Sequence, residues 1–135
     1  MTAAAPVLDA FIDAELARTG LTEEDLVLVG FSQGTMMALH VGFRRARPLA
    51  GLVGYSGSLA GPERLEQDLR QRCPVLLVHG AADEVLPADL TRHAARVLEG
   101  LQVPVRSHIE PGLGHGINET GLRLGADFLS EVLSR

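Results

Sequence analysis

Leu26-Val27-Leu28-Val29-Gly30-Phe31-Ser32-Gln33-Gly34 is an unbroken apolar run, rich in β-branched residues, that closes on Gly-x-Ser-x-Gly. Such a run reads as a buried strand, and the stretch from Gln33 to about Arg45, with Met36, Met37, Leu39 and Val41, reads as a buried helix, apolar almost all round. Together they predict a strand that turns sharply into a helix with Ser32 at the corner. Gly30 and Gly34 lack a Cβ, so strand and helix can approach closely and the Ser32 hydroxyl stands above the strand ends. The pattern alone arises by chance in roughly 7 per cent of chains of this length and composition. A nucleophilic role for Ser32 therefore needs a base and an acid further along.

Outward from this corner, strands and helices alternate. Upstream, Val7, Leu8, Phe11, Ile12 and Leu16 recur at helical spacing from Pro6 to Arg18, which predicts an amphipathic helix packed on one face and ended by Gly20. Downstream, Leu49 to Tyr55 is a second strand, Pro62 to Arg72 a polar helix, and Val75 to His79 a third strand. A helix from Ala88 to Glu99, a strand from Val103 to Ile109 and an amphipathic helix from Asn118 to Ser134 complete the chain. This order predicts one α/β domain over residues 1–135, a mostly parallel sheet with helices on both faces, whose ligands bind at the carboxyl ends of the strands.

Ser32, Asp83 and His115 all fall in loops directly after predicted strands, so all three share one edge of the sheet. Serine at its free pKa is a weak nucleophile; an imidazole must take its proton, and a carboxylate must orient that imidazole and balance its charge. His40 and His93 fall in helices and His108 in a strand, where packing or solvent roles are the default. His79 ends a strand and suits a structural hydrogen bond to the loop around Asp83, whereas His115, between Gly114 and Gly116, has the freedom to reach inward as base. Glu84 and Glu110 are rivals for the acid; Asp83 is preferred for its short side chain a few residues past a strand. Ser56 also follows a strand but lacks the second glycine, and reads as a turn residue.

Composition narrows the function further. Twelve basic residues against 17 acidic give a formal charge of -5, and the longest basic cluster is Arg44, Arg45 and Arg47, suited to the last turn of a helix, so nucleic acid is not an expected partner. All the basic residues are Arg. Cys73 is the lone cysteine and, beside Pro74 and an apolar run, reads as a buried residue rather than a reactive thiol. No apolar stretch approaches the ~18 residues of a membrane helix, and Asp9, Asp13 and Glu15 stand where a signal peptide is uncharged, so a cytoplasmic protein is expected. No pair of His or Cys has metal-ligand spacing.

Gly30-Phe31-Ser32-Gln33-Gly34, then His79-Gly80-x-x-Asp83-x-x-Leu86-Pro87, then Gly112-Leu113-Gly114-His115-Gly116-Ile117 resemble the motifs of the phospholipase/carboxylesterase family of α/β-hydrolases. That family includes the acyl-protein thioesterases and small bacterial carboxylesterases. The resemblance implies Ser32 as nucleophile, Asp83 as acid, His115 as base, no cofactor, and ester or thioester substrates with short to medium acyl chains. Dienelactone hydrolases are similar but use cysteine as nucleophile, so Ser32 argues against that branch. The chain resembles the C-terminal part of the family's fold. The resemblance implies strands ahead of the first helix and, with them, a loop that donates one of two oxyanion-hole N–H groups, and the chain is expected to lack both; Gln33 can supply the other. Losing one such donor costs about 3–4 kcal/mol in the barrier. An unpaired side on the strand before Ser32 is a template for association, so a homodimer through that edge, or poor solubility, is expected. The competing expectation is a truncated hydrolase half of little activity, an interaction module or gene fragment, with Met1 a start inside a longer gene.

Overall fold

The structure, a computed structural model, describes residues 3–134. These residues form a four-stranded sheet of β1 (Val27–Phe31), β2 (Gly51–Tyr55), β3 (Val75–Gly80) and β4 (Val105–Glu110). The spatial order is β1-β2-β3-β4, the order of the chain, and every pair is parallel. Val27 to Phe31 pair with Gly51 to Tyr55, Leu52 to Tyr55 with Val75 to Val78, and Val75 to Gly80 with Val105 to Glu110. The helices are α1 (Ala5–Thr19), α2 (Gln33–Arg44), α3 (Pro62–Asp68), α4 (Asp89–Gly100) and α5 (Glu119–Leu133).

Period-2 alternation in β2 and β3 sends side chains to both faces, and both faces are covered. Leu52, Val75 and Leu77 pack with Leu39 and Phe43 of α2, Leu65 of α3 and Leu98 of α4. Val53, Tyr55, Leu76 and Val78 pack with Phe128 of α5. Phe43 and Phe128 are fully buried, each burial stabilising the fold by about 1.5–3 kcal/mol. Helices thus lie on both faces, as the strand–helix alternation predicts.

Three expectations change. The helix α3 ends at Asp68, not Arg72, because the next residues have a different task. There the Arg70 N–H donates to the carbonyl of Phe43 and the Gln71 amide to that of Gly42, at 2.9 and 2.7 Å, so this segment satisfies the open carbonyls at the end of α2. The apolar stripe of α1 is only partly used: Ile12 is buried, but Val7 and Phe11 are 70% and 59% exposed, since α1 packs mainly against α2. In β1, finally, Val29 and Phe31 are 58% and 40% exposed. Among the described residues β1 has a partner on one side only, and beside it a groove of about 370 Å³ runs between Val29, Phe31, Val53, Ile117 and Leu129.

A polar clamp locates α1. Arg45, just past α2, has a side chain 7% exposed, and its guanidinium donates to Asp9, Asp13 and Glu23 at 2.6, 2.8 and 3.1 Å. Two of these carboxylates belong to α1 and the third to the turn that leads into β1, so one planar cation ties three segments. Arg44 turns the other way, to Asp68 of α3 at 3.0 Å. Replacing Arg45 with Ala leaves three carboxylates unpaired, and urea unfolding should show a loss of about 2–3 kcal/mol. Arg45→Lys should recover little of it, because one ammonium cannot span the carboxylates that the guanidinium fork reaches.

Candidate active site

The carboxyl ends of β1, β3 and β4 supply the polar groups. Ser32 follows β1 with φ 56° and ψ −117°, a conformation that L-residues rarely adopt. Two features hold it there. Its N–H donates to the carbonyl of Tyr55 at 2.8 Å, and Thr35 Oγ1 donates to the same oxygen at 2.8 Å, so the corner is tied to the end of β2. Gly30 packs against the backbone of Gly34, where any Cβ would collide with the carbonyl. A Cβ on Gly34 itself would meet nothing within 4 Å. Of the two glycines that the sequence singles out, only Gly30 is required by this contact.

Asp83 lies in the turn after β3 with a side chain 0% exposed. Its Oδ1 accepts from the N–H groups of Val85 and Leu86 at 2.8 and 2.9 Å, an Asx turn that fixes the carboxylate from below. Its Oδ2 accepts from His115 Nδ1 at 2.7 Å. His115 Nε2 lies 3.1 Å from Ser32 Oγ, from which it can accept. One neutral tautomer of His115, with the hydrogen on Nδ1, satisfies both contacts.

The loop that carries His115 is tied at several points. The N–H of Ala82 donates to the carbonyl of Leu113 at 2.9 Å, and Ser56 Oγ donates to that of Gly116 at 3.3 Å. Gly80 lets the loop close over β3, since a Cβ there would strike the carbonyls of Leu113 and Gly114. The Phe31 ring flanks the imidazole, with centroids 5.0 Å apart. The N–H of Gln33, first in α2, has no acceptor among the described residues and points from the positive end of that helix.

The other candidates are placed elsewhere. Glu84 is exposed. Glu110 accepts from His108 at 2.7 Å and from Asn118 at 2.9 Å, and these bonds hold its carboxyl below the usual range against a smaller effect of burial. His93 is exposed on α4, and His40 lies beside α1 and Arg44. His79 donates to the carbonyl of Leu86 at 2.8 Å, the structural bond expected of it. Cys73 is buried, and burial pushes its thiol up to about 11. Among the described residues no cluster of three His, Cys, Asp or Glu could hold a metal ion. Nor is any described helix long and apolar enough to cross a membrane.

The sequence does not foretell the part of Ser56. It is fully buried with φ 52°, and it bonds the His115 loop rather than standing as a plain turn residue. Its position directly after a strand, like that of Ser32, is the only signal.

A parallel sheet with a serine corner after one strand and an aspartate and a histidine after two others is the arrangement of an α/β-hydrolase. Within that class the chain belongs to the phospholipase/carboxylesterase family, whose model matches residues 1–133. It is 32% identical over 102 residues to acyl-protein thioesterase 1 of Gibberella zeae, covering 72% of this chain and 43% of that protein. To lysophospholipase-like protein 1 of Mus musculus it is 33% identical over 120 residues, covering 86% and 50%. The crystal structure of esterase PE8 is 44% identical and superposes with a TM-score of 0.96 over 98% of this chain and 61% of that one. Arabidopsis thaliana SOBER1, at 24% identity and a TM-score of 0.92 over 98% of this chain and 64% of that one, shares the fold. The chain spans about half the length of the curated relatives it matches.

Burial alone would raise the Asp83 carboxyl, but the bonds from His115, Leu86 and Val85 outweigh it and hold the group below its ordinary 3.8. A carboxyl depressed on folding adds stability above its unfolded value, and that stability is lost as pH falls through the folded value. Asp83→Asn should therefore be less stable than the parent at neutral pH, and the gap should narrow below about pH 4. Thermal melts from pH 7 to pH 3 check this; a gap independent of pH would show that the Asp83 charge adds nothing to stability.

Proposed function

We propose that this chain works as a serine hydrolase on carboxylic esters or thioesters with short to medium acyl chains, through an acyl-enzyme. Ser32 is the nucleophile, His115 the base and Asp83 the acid. The observation that supports this best is the unbroken line of hydrogen bonds from Ser32 Oγ through His115 to the buried Asp83 carboxylate. His115 Nε2 takes the hydroxyl proton as Ser32 Oγ attacks the acyl carbonyl, and Asp83 balances the imidazolium charge. The Gln33 N–H donates to the oxyanion, aided by the start of α2. As the tetrahedral intermediate collapses, the proton on Nε2 passes to the leaving alcohol or thiol, and the acyl group stays on Ser32. Water, deprotonated by His115, attacks that ester; the acid leaves and Ser32 regains its proton. Each step uses groups of the chain and water alone. The names of the relatives, a thioesterase, a lysophospholipase-like protein and an esterase, agree with an acyl carbonyl bearing a sulfur or oxygen leaving group.

Hydrolysis of a short-chain aryl ester by the purified chain, beside its Ser32→Ala variant, tests the reading. Turnover by the parent should fall to the buffer rate in the variant. Equal rates for the two proteins would overturn it.

The exposed edge of β1 favours a second reading, a hydrolase half of little activity that serves as an interaction module. Val29 and Phe31, with the apolar groove beside them, offer a second copy of the chain both unpaired backbone and apolar surface. Light scattering should then give the mass of a dimer. A monomer across a wide range of concentrations would count against it.

A further inference from the structure

Asp83 holds one contact that the line from Ser32 to His115 does not use. Its Oδ2, already bonded to His115 Nδ1 at 2.7 Å, lies 3.2 Å from Nε2 of His79. His79 is the penultimate residue of β3 and its side chain is 0% exposed. Two imidazoles, one partly open and one sealed in the core, therefore meet on a single carboxylate oxygen.

The partners of His79 decide which of its nitrogens carries the hydrogen. Nε2 faces two groups that only accept, the carbonyl of Leu86 at 2.8 Å and the Asp83 carboxylate at 3.2 Å, so Nε2 must be the donor. Nδ1 lies 2.8 Å from Oγ1 of Thr91, a buried hydroxyl on α4 that is free to donate to it. The neutral Nε2–H tautomer donates to the Leu86 carbonyl and accepts from the Thr91 hydroxyl.

This geometry supplies something the Asx turn lacks. The N–H groups of Val85 and Leu86 pin Oδ1, so the place of the carboxylate depends on the place of the turn that carries them. The Nε2–H of His79 donates to the carbonyl of Leu86 at 2.8 Å, with Oδ2 3.2 Å away, and so holds that turn from its far end. We propose that His79, held as its Nε2–H tautomer by the Thr91 hydroxyl, is a positioning residue that holds the turn at Leu86, and through it the Asp83 carboxylate, against His115. The inference rests on reading Ser32, His115 and Asp83 as the catalytic set. It extends that set from the strand ends into the core, through β3 to α4.

The test compares the 135-residue chain with Thr91→Val, which keeps the shape and removes the donor, and Thr91→Ser, which restores it. Long-range proton–nitrogen correlation spectra read the tautomer of each histidine, and the low-field Nδ1–H resonance of His115 reads its bond to Asp83; neither needs turnover. His79 should be the Nε2–H tautomer in the parent. In Thr91→Val its tautomer should become mixed and the His115 resonance should move upfield, and Thr91→Ser should return both. The rate at which a fluorophosphonate labels Ser32 should fall about fivefold in Thr91→Val, the weight of one neutral hydrogen bond, and recover in Thr91→Ser. Where Thr91→Val does not fold, His79→Gln, whose amide can donate from the place of Nε2, should keep the His115 resonance, and His79→Leu should lose it. An Nδ1–H tautomer of His79 in the parent overturns the proposal, as does a folded Thr91→Val with the resonance and labelling rate unchanged. Failure of the underlying reading looks different: Ser32 resists labelling in the parent while the histidine spectra still respond to Thr91.

Discussion

The contact of Gly30 with the backbone of Gly34 sets the geometry of the whole carboxyl edge. It lets α2 start directly beside the end of β1, which forces Ser32 into its positive φ. The tie from the Ser32 N–H to the carbonyl of Tyr55 then refers that strained corner to β2, and through the register of β2 and β3 to the turn that bears Asp83. Strain of this kind persists only where the surroundings over-determine it. Here two bonds to one Tyr55 carbonyl and a backbone contact do so.

From that corner inward, the polar groups of the site are satisfied in layers. Ser32 meets His115, His115 meets Asp83, and Asp83 meets the two N–H groups of its own turn. A parallel sheet makes the layering possible, because every strand delivers its loop to the same edge and the buried strands below form a rigid floor. β2 and β3 are buried along their full length, so the turns they carry have little room to drift.

Much of this could be read from the chain because the chemistry lies close to local signals. Ser32, Asp83 and His115 each follow a strand, and an apolar run closed by glycine, proline or a polar turn is visible in the residues themselves. The parallel sheet followed from the same alternation. What stayed hidden depends on long-range partners. Nothing near Arg45 announces that Asp9, Asp13 and Glu23 converge on it, and its place in a basic cluster suggested only a helix terminus. Gln71 ends a predicted helix by pattern, yet it is taken out of helical geometry by a carbonyl in α2. The amphipathic pattern of α1 was real, but a pattern states which face is apolar and not whether anything covers it; Val7 and Phe11 are left bare. Likewise the bonds of His79 to the Asp83 turn and to Thr91 appear only once β3 and α4 are packed together.

The strand order repeats the chain order, and this bears on how the molecule comes into being. Each strand pairs with the one made just before it, after an excursion of a single helix, so no pairing must wait for a distant segment. Loop closure is then uniformly short, a regime in which parallel sheets escape part of their usual slowness. Among the described residues β1 emerges before the other three strands, so this part of the sheet can grow strand by strand toward β4. Later in the chain the His115 loop closes on Gly80 and Phe128 of α5 packs on Val53, Tyr55, Leu76 and Val78, so Ser32 and Asp83 meet His115 only after β4 has formed.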